Sequence, residues 1–138
     1  MTVTEQNKAI VIRFNREIIE QGNMDSFKEL VSDKVINHAA PPGTPTGPES
    51  MVNFIQHILR AGFSDIKVDI LEQVAERDLV TTRKKINGRH TGTVMEIPPS
   101  EKNVVINVID IIRLKDGKYA EHWGISNFQE VLSQIAQQ

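Results

Sequence analysis

Residues 104–125 read VVINVIDIIRLKDGKYAEHWGI, and this stretch decides the architecture. An apolar run, an Asp-Gly pair and a second β-rich run form the pattern of a hairpin, because Asp116 and Gly117 both tolerate the positive φ of a two-residue turn. Antiparallel counting outward from that turn sets Lys115 opposite Lys118, Ile112 opposite Glu121, Ile111 opposite His122 and Asp110 opposite Trp123. One face then carries Ile106, Val108, Asp110, Ile112, Tyr119, Glu121 and Trp123. The other carries Asn107, Ile109, Ile111, Arg113, Ala120 and His122. A turn longer by one residue exchanges these partners. Since residues 104–114 are apolar on both faces, the second face calls for cover by more of this chain or by a second copy. A homodimer through the sheet is the economical solution.

Upstream, Ile66, Val68 and Ile70 alternate on one face, and β-rich runs follow at residues 79–86 and 89–96. The first half is helical instead. In residues 4–21, Ile10, Phe14 and Ile18 recur every fourth position with Val11 beside them, while Lys8, Arg13, Arg16 and Glu20 fall elsewhere on the wheel. Thr2 and Glu5 resemble a capping box, and Gly22 can take the left-handed conformation that stops the helix. A short helix at 25–31 presents Phe27, Leu30 and Val31. Four prolines and two glycines make residues 37–48 a loop. Pro48 then opens a helix with an apolar stripe of Met51, Phe54, Ile55, Ile58 and Leu59, ending before Gly62. Asn127 can cap a last helix that carries Val131, Leu132 and Ile135. Helices followed by a strand meander read as α+β, and 138 residues without an internal repeat read as one domain, 1–138.

Composition narrows the function. With 39% hydrophobic and 25% charged residues the chain is an ordinary globular protein. Its net charge of -2, from 16 basic and 18 acidic residues, offers no electropositive surface for nucleic acid. The run Arg83-Lys84-Lys85 reads as a solvated strand edge. Having no cysteine excludes disulfides and thiolate chemistry and fits a reducing compartment, so a cytoplasmic location is the default expectation. The N-terminal residues lack the features of a secretion signal, and no stretch has the ~18 apolar residues of a membrane span. No histidine spacing suits a metal, and no glycine-rich phosphate loop or serine nucleophile elbow is present, so neither metal nor cofactor is expected.

The candidate chemistry lies on the hairpin. Asp110 and Glu121 stand among branched aliphatics, where desolvation raises a carboxylate pKa and makes a base near neutrality. The alternative for either is an ion pair with Arg83 or Arg113. Trp123 is a core residue or a ligand platform. His38, in the proline-rich loop, and His90, in Arg89-His90-Thr91-Gly92, are candidate acids or hydrogen-bond donors. His57 belongs to a helix surface.

The order of motifs resembles the SnoaL-like polyketide cyclases of the nuclear-transport-factor-2-like superfamily. The landmarks are Asn7 to Phe14 leading to Glu20-Gln21-Gly22-Asn23, Asn37-His38 before Pro41-Pro42-Gly43, and Gly47-Pro48-Glu49. They continue with His90-Thr91-Gly92, Ile97-Pro98-Pro99, Asp110-Ile111-Ile112-Arg113, Asp116-Gly117-Lys118 and Glu121-His122-Trp123-Gly124. The resemblance implies a cone-shaped α+β barrel, a curved antiparallel sheet wrapped by N-terminal helices around a cavity, and a dimer. It also implies a cofactor-independent enzyme, an aldol cyclase, isomerase or hydrolase, acting on a small apolar carbonyl compound. By that analogy Glu121 or Asp110 is the base, and His90, His38 or Trp123 donates to the developing oxyanion. Phe14 and Trp123 would wall the pocket, with Arg83 beside it. Relatives often carry a tyrosine after the phenylalanine of the first helix and an aspartate four residues after the tryptophan. Here Asn15 and Asn127 stand there, Asn15 able to hydrogen-bond a substrate oxygen and Asn127 to cap the helix. A non-catalytic binder of a small apolar ligand and a structural dimer module are the alternatives on the same scaffold.

Overall fold

The computed structural model describes residues 1–137. Helix α1 (Val3–Arg13) continues without a break into a π-helical segment, Phe14–Glu20, followed by α2 (Met24–Leu30). Thr2 caps α1 by accepting from the Glu5 amide, and Gly22 (φ 68°) ends it, as their residue types require. After strand β1 (Val31–Asn37), helix α3 starts at Pro48–Val52, turns π-helical over Asn53–Leu59 and closes with Arg60–Gly62. Strands β2 (Phe63–Glu76), β3 (Leu79–His90), β4 (Asn103–Lys115) and β5 (Lys118–Ser126) form the meander, and α4 (Phe128–Ala136) follows.

The five strands run in the order β1-β5-β4-β3-β2 as one curved sheet. Four pair antiparallel, whereas β1 lies parallel to β5 at the edge. This edge strand departs from the expected all-antiparallel sheet. Its short apolar content, Val31 and Val35 separated by Ser32, Asp33 and Lys34, gives little alternation to read. The run 89–96 is not a separate strand either. Strand β3 continues unbroken to His90, and the chain then leaves the sheet, with Thr91 and Gly92 both donating to the Gly62 carbonyl.

The core lies between the concave face of the sheet and the helices. Val11, Phe14 and Ile18 of the first helix, and Met51, Ile55 and Leu59 of α3, pack against Val80, Ile86, Ile106, Ile112 and Tyr119. Each large apolar side chain buried there stabilises the fold by about 1.5–3 kcal/mol relative to exposure. On the convex face Val105, Ile109, Ile111 and Ile125 remain exposed, and no described residue covers them.

One irregularity in the hairpin determines which side chains reach the interior. The Asp116-Gly117 turn has the expected two residues, and Lys115 pairs with Lys118 and Leu114 with Tyr119. Then the register slips: Arg113 pairs with Glu121, Ile112 with His122, Ile111 with Trp123 and Asp110 with Gly124. Ala120 is the extra residue, a β-bulge. Past it, every side chain of β5 faces opposite to simple counting. His122 turns toward Asp110 and the core, and Glu121 and Trp123 turn out beside Arg113. The faces derived from the turn alone are therefore corrected beyond Tyr119.

Candidate functional site

A cavity of about 350 Å³ opens between the sheet and the helices. Phe14, Phe54, Ile58, Ile86, Ile106 and Phe128 supply apolar wall. Phe14 stacks on Tyr119 with ring centroids 4.4 Å apart, and Phe54 meets Phe128 edge-on at 5.5 Å. Against this wall stands a polar group formed by Asp110, Lys84, His122 and Tyr119.

The alternation of β3 puts Lys84 inward in line with Val80, Thr82 and Ile86. Its ammonium lies 3.3 Å from Asp110 Oδ2 and donates to Asn15 Oδ1 at 2.7 Å. Asn15, fully buried, spends its amide on the Val11 carbonyl at 2.9 Å, so both ends of that side chain are engaged. Asn15 thus orients Lys84 and does not border the cavity where a substrate oxygen would lie. Asp110 is 5% exposed. His122 Nε2 lies 3.7 Å from Asp110 Oδ2, and Asp110 Oδ1 is buried with no hydrogen-bond partner among the described residues. Burial pushes the Asp110 carboxyl up, but the charge of Lys84 and the approach of His122 outweigh it and hold the group below the usual carboxylate range. Burial, reinforced by the Asp110 charge, pushes the Tyr119 phenol well above its ordinary value, so it stays a neutral O–H at all physiological pH.

The other expected residues lie elsewhere. Glu121, expected in the pocket, is on the far side of the sheet because of the bulge, bound to Arg113 Nε at 2.9 Å and His38 Nε2 at 2.8 Å. The His38 hydrogen bond, with Arg113 beside it, lowers its carboxyl below the ordinary value. This is the ion-pair alternative, realised with Arg113. Trp123 accompanies it outward: the His38 ring stacks on the indole at 4.7 Å, and Arg113 lies 5.8 Å from its centroid. Neither His38 nor Trp123 borders the cavity. Arg83 points to the convex face and pairs with Glu72 at 2.7 Å. His90 is fully buried but outside the cavity lining; its Nδ1 accepts the Ser100 amide at 3.0 Å, pinning the segment after β3. Asn127 precedes α4, yet its side chain accepts from the Asn107 amide at 2.9 Å instead of capping the helix. Of the eight proposed positions, the cavity is bordered by Asp110 and Phe14.

Lys84 and His122 were not singled out by sequence reasoning. For Lys84 a signal existed, its even spacing from Val80, Thr82 and Ile86 inside an apparently solvated run. Nothing local marks the bulge that brings in His122. Among the described residues no three histidine, aspartate or glutamate side chains converge as metal ligands.

A curved sheet and helices around a cavity with a charged group in its wall define an α+β scaffold. The model of the SnoaL-like polyketide cyclases matches residues 9–135, and the chain belongs to that family. It is 27% identical over 116 residues to nogalonic acid methyl ester cyclase of Streptomyces nogalater, covering 83% of this chain and 86% of that one. Among solved structures, TsrD from Streptomyces laurentii superposes with a TM-score of 0.85 at 20% identity, over 99% of this chain and 100% of the other. IdmH from Streptomyces antibioticus does so with a TM-score of 0.82 at 27% identity, over 96% and 99%. The fold expected from the sequence, α+β with N-terminal helices, a curved sheet and a terminal helix, is the fold observed.

Proposed function

We propose that the chain is a cofactor-independent cyclase that binds an apolar carbonyl compound in this cavity, with Asp110 as the base. The observation that carries the proposal is the buried Asp110 carboxylate. It is kept ionised by Lys84, while its second oxygen meets no donor among the described residues. An unsolvated oxygen of this kind can take a proton from the carbon α to a carbonyl without first shedding water. The Lys84 ammonium has three donors, two directed at Asp110 and Asn15, and the Tyr119 hydroxyl is a further neutral donor in the same wall. Groups of this type stabilise the enolate oxygen as charge develops on it. The pairing with Lys84 also suits a site that only binds a polar-ended apolar ligand, so the test must separate turnover from binding.

Nogalonic acid methyl ester, named in the relative's activity, is the natural first probe. Cyclisation by aldol addition leaves the mass unchanged, so chromatography coupled to mass spectrometry is expected to show a new isomeric peak that grows with enzyme concentration. Saturable binding of that ester and of simpler aromatic keto-esters, with no isomer formed from any, would replace the enzyme reading with the binding one.

We propose further that a second copy of the chain covers the exposed convex strip of Val105, Ile109, Ile111 and Ile125. Arg113 with Glu121, and Arg83 with Glu72, place both charge signs on that face, which suits a two-fold self-association. Sedimentation equilibrium is expected to give twice the 15.5 kDa chain mass. Ile109→Lys is expected to return it to the monomer value, and a monomeric wild type would end this proposal.

A further inference from the structure

His122 has two nitrogens, and the structure treats them differently. Nδ1 lies 2.9 Å from Asn37 Oδ1. That amide oxygen also accepts the backbone N–H of Ala39 at 3.1 Å, and the Asn37 amide nitrogen lies 3.2 Å from Ser50 Oγ. A backbone N–H can only donate, so the atom it meets is the amide oxygen, and the orientation of Asn37 is fixed. Facing an acceptor, Nδ1 must carry the hydrogen. Nε2 is then the nitrogen left toward Asp110 Oδ2, 3.7 Å away, and toward the cavity. A bare Nε2 lone pair against an ionised carboxylate is repulsive. The arrangement is favourable only when a proton sits between them.

We propose that Asn37 is a positioning residue that commits the His122 Nδ1 hydrogen and so makes Nε2 the proton donor to the substrate oxygen. The proposal rests on the cyclase reading and assigns the second half of its proton traffic. Asp110 takes the proton from the carbon α to the carbonyl. The electron pair left behind forms the new carbon–carbon bond to the acceptor carbonyl carbon, whose π pair moves onto oxygen. That oxygen takes the proton from His122 Nε2. The carboxylic acid at Asp110 returns its proton to Nε2 across the 3.7 Å gap, through a water or a small approach. No proton is gained or lost over the cycle, and no oxidant or further reactant is required.

The position of Asn37 follows from the fold. It ends β1, where parallel pairing with β5 sets it level with His122. Its own backbone amide donates to the Thr46 carbonyl, and the next amide, His38, donates to the His122 carbonyl. The edge strand, the proline-rich loop and the imidazole are thus joined at one buried side chain. Of the charged and titratable groups, Asp110 of β4 lies 3.7 Å from the imidazole, and Lys84 of β3 and Tyr119 of β5 border the same cavity. From β1 it meets the neutral Asn37, whose amide nitrogen in turn donates to Ser50 of α3.

The test is nitrogen NMR of the histidine ring in wild type and in two variants, with kcat measured beside it. Wild type at alkaline pH is expected to hold His122 as the Nδ1–H tautomer. Asn37→Leu removes the acceptor; the Nε2–H tautomer should appear and kcat fall by on the order of 10-fold or more with KM little changed. Asn37→Asp keeps an acceptor for both Nδ1 and the Ala39 amide. It should preserve the tautomer and most of the rate, and the added negative charge should extend the alkaline limb of the pH profile upward. An Nε2–H tautomer in wild type, or an Asn37→Leu protein with unchanged tautomer and kcat, overturns the proposal. The NMR result stands apart from turnover: a protein with the Nδ1–H tautomer that converts no carbonyl compound retires the cyclase reading and leaves Asn37 as the residue that orients His122.

Discussion

Lys84→Met is expected to destabilise the protein by about 3–5 kcal/mol at neutral pH, because it strips the counter-charge from a buried carboxylate. Methionine has nearly the length of the lysine stem, so the volume at this position is kept and the loss is electrostatic. The Lys84 and Asp110 side chains are 6% and 7% exposed, which leaves little solvent to screen the unpaired charge. The dependence on pH should reverse as well. In wild type the Asp110 carboxyl titrates below its unfolded value of ~3.9, so the stability it contributes is present above that value and lost as pH falls through the lower native one. Without Lys84, burial, the largest influence on the group, is opposed by His122 alone, and the native carboxyl is expected to titrate above ~3.9. The folded variant then holds a proton that the unfolded chain releases, and stability declines as pH rises from about 4 toward neutrality. Urea unfolding between pH 4 and 8 reads both effects. A variant with wild-type stability and the wild-type slope would show that Lys84 does not compensate Asp110.

Asp110→Asn should lower kcat by ~10²–10⁴-fold, the contribution of a positioned general base. Asparagine matches the carboxylate in shape, and KM should change little if the cavity keeps its form. Glu121→Gln is the informative control. That carboxylate is the other candidate in the same hairpin, but it is held outside the cavity by Arg113 and His38. Turnover is therefore expected to persist in Glu121→Gln. Loss of activity in Glu121→Gln with Asp110→Asn unaffected would move the chemistry to the convex face and remove the basis for the proposed mechanism.

The helices were legible because their apolar residues recur at the right period. Ile10, Phe14 and Ile18 pack inward, as do Met51, Ile55 and Leu59. The hairpin was legible from Asp116-Gly117, whose turn is as short as those residues require. Strand β1 was not, because an edge strand buried mainly through Val31, Val35 and Asn37 owes its position to a distant parallel partner and not to its own pattern. Lys84 was read as solvated because it stands between two charged neighbours, yet in a strand adjacent residues face opposite ways. His122 and Glu121 exchanged places for a reason with no local marker: Ala120 is a bulge residue of ordinary type, next to a Tyr119 that packs into the core and onto Phe14. The fold class could be read from composition and period. The site depended on a register that only packing sets.

The bulge at Ala120 acts as a parity setting for the strand. Every residue of β5 beyond it is inward or outward according to whether one extra residue has been counted. Point substitutions leave that count untouched, so they alter the quality of the group offered to the cavity but not which group is offered. Insertion of one residue after Ala120, with the bulge kept, would set Glu121 opposite Ile112 and Trp123 opposite Asp110, presenting both inward in a single event and withdrawing His122. In this architecture the short step between one chemistry and another is a change in chain length.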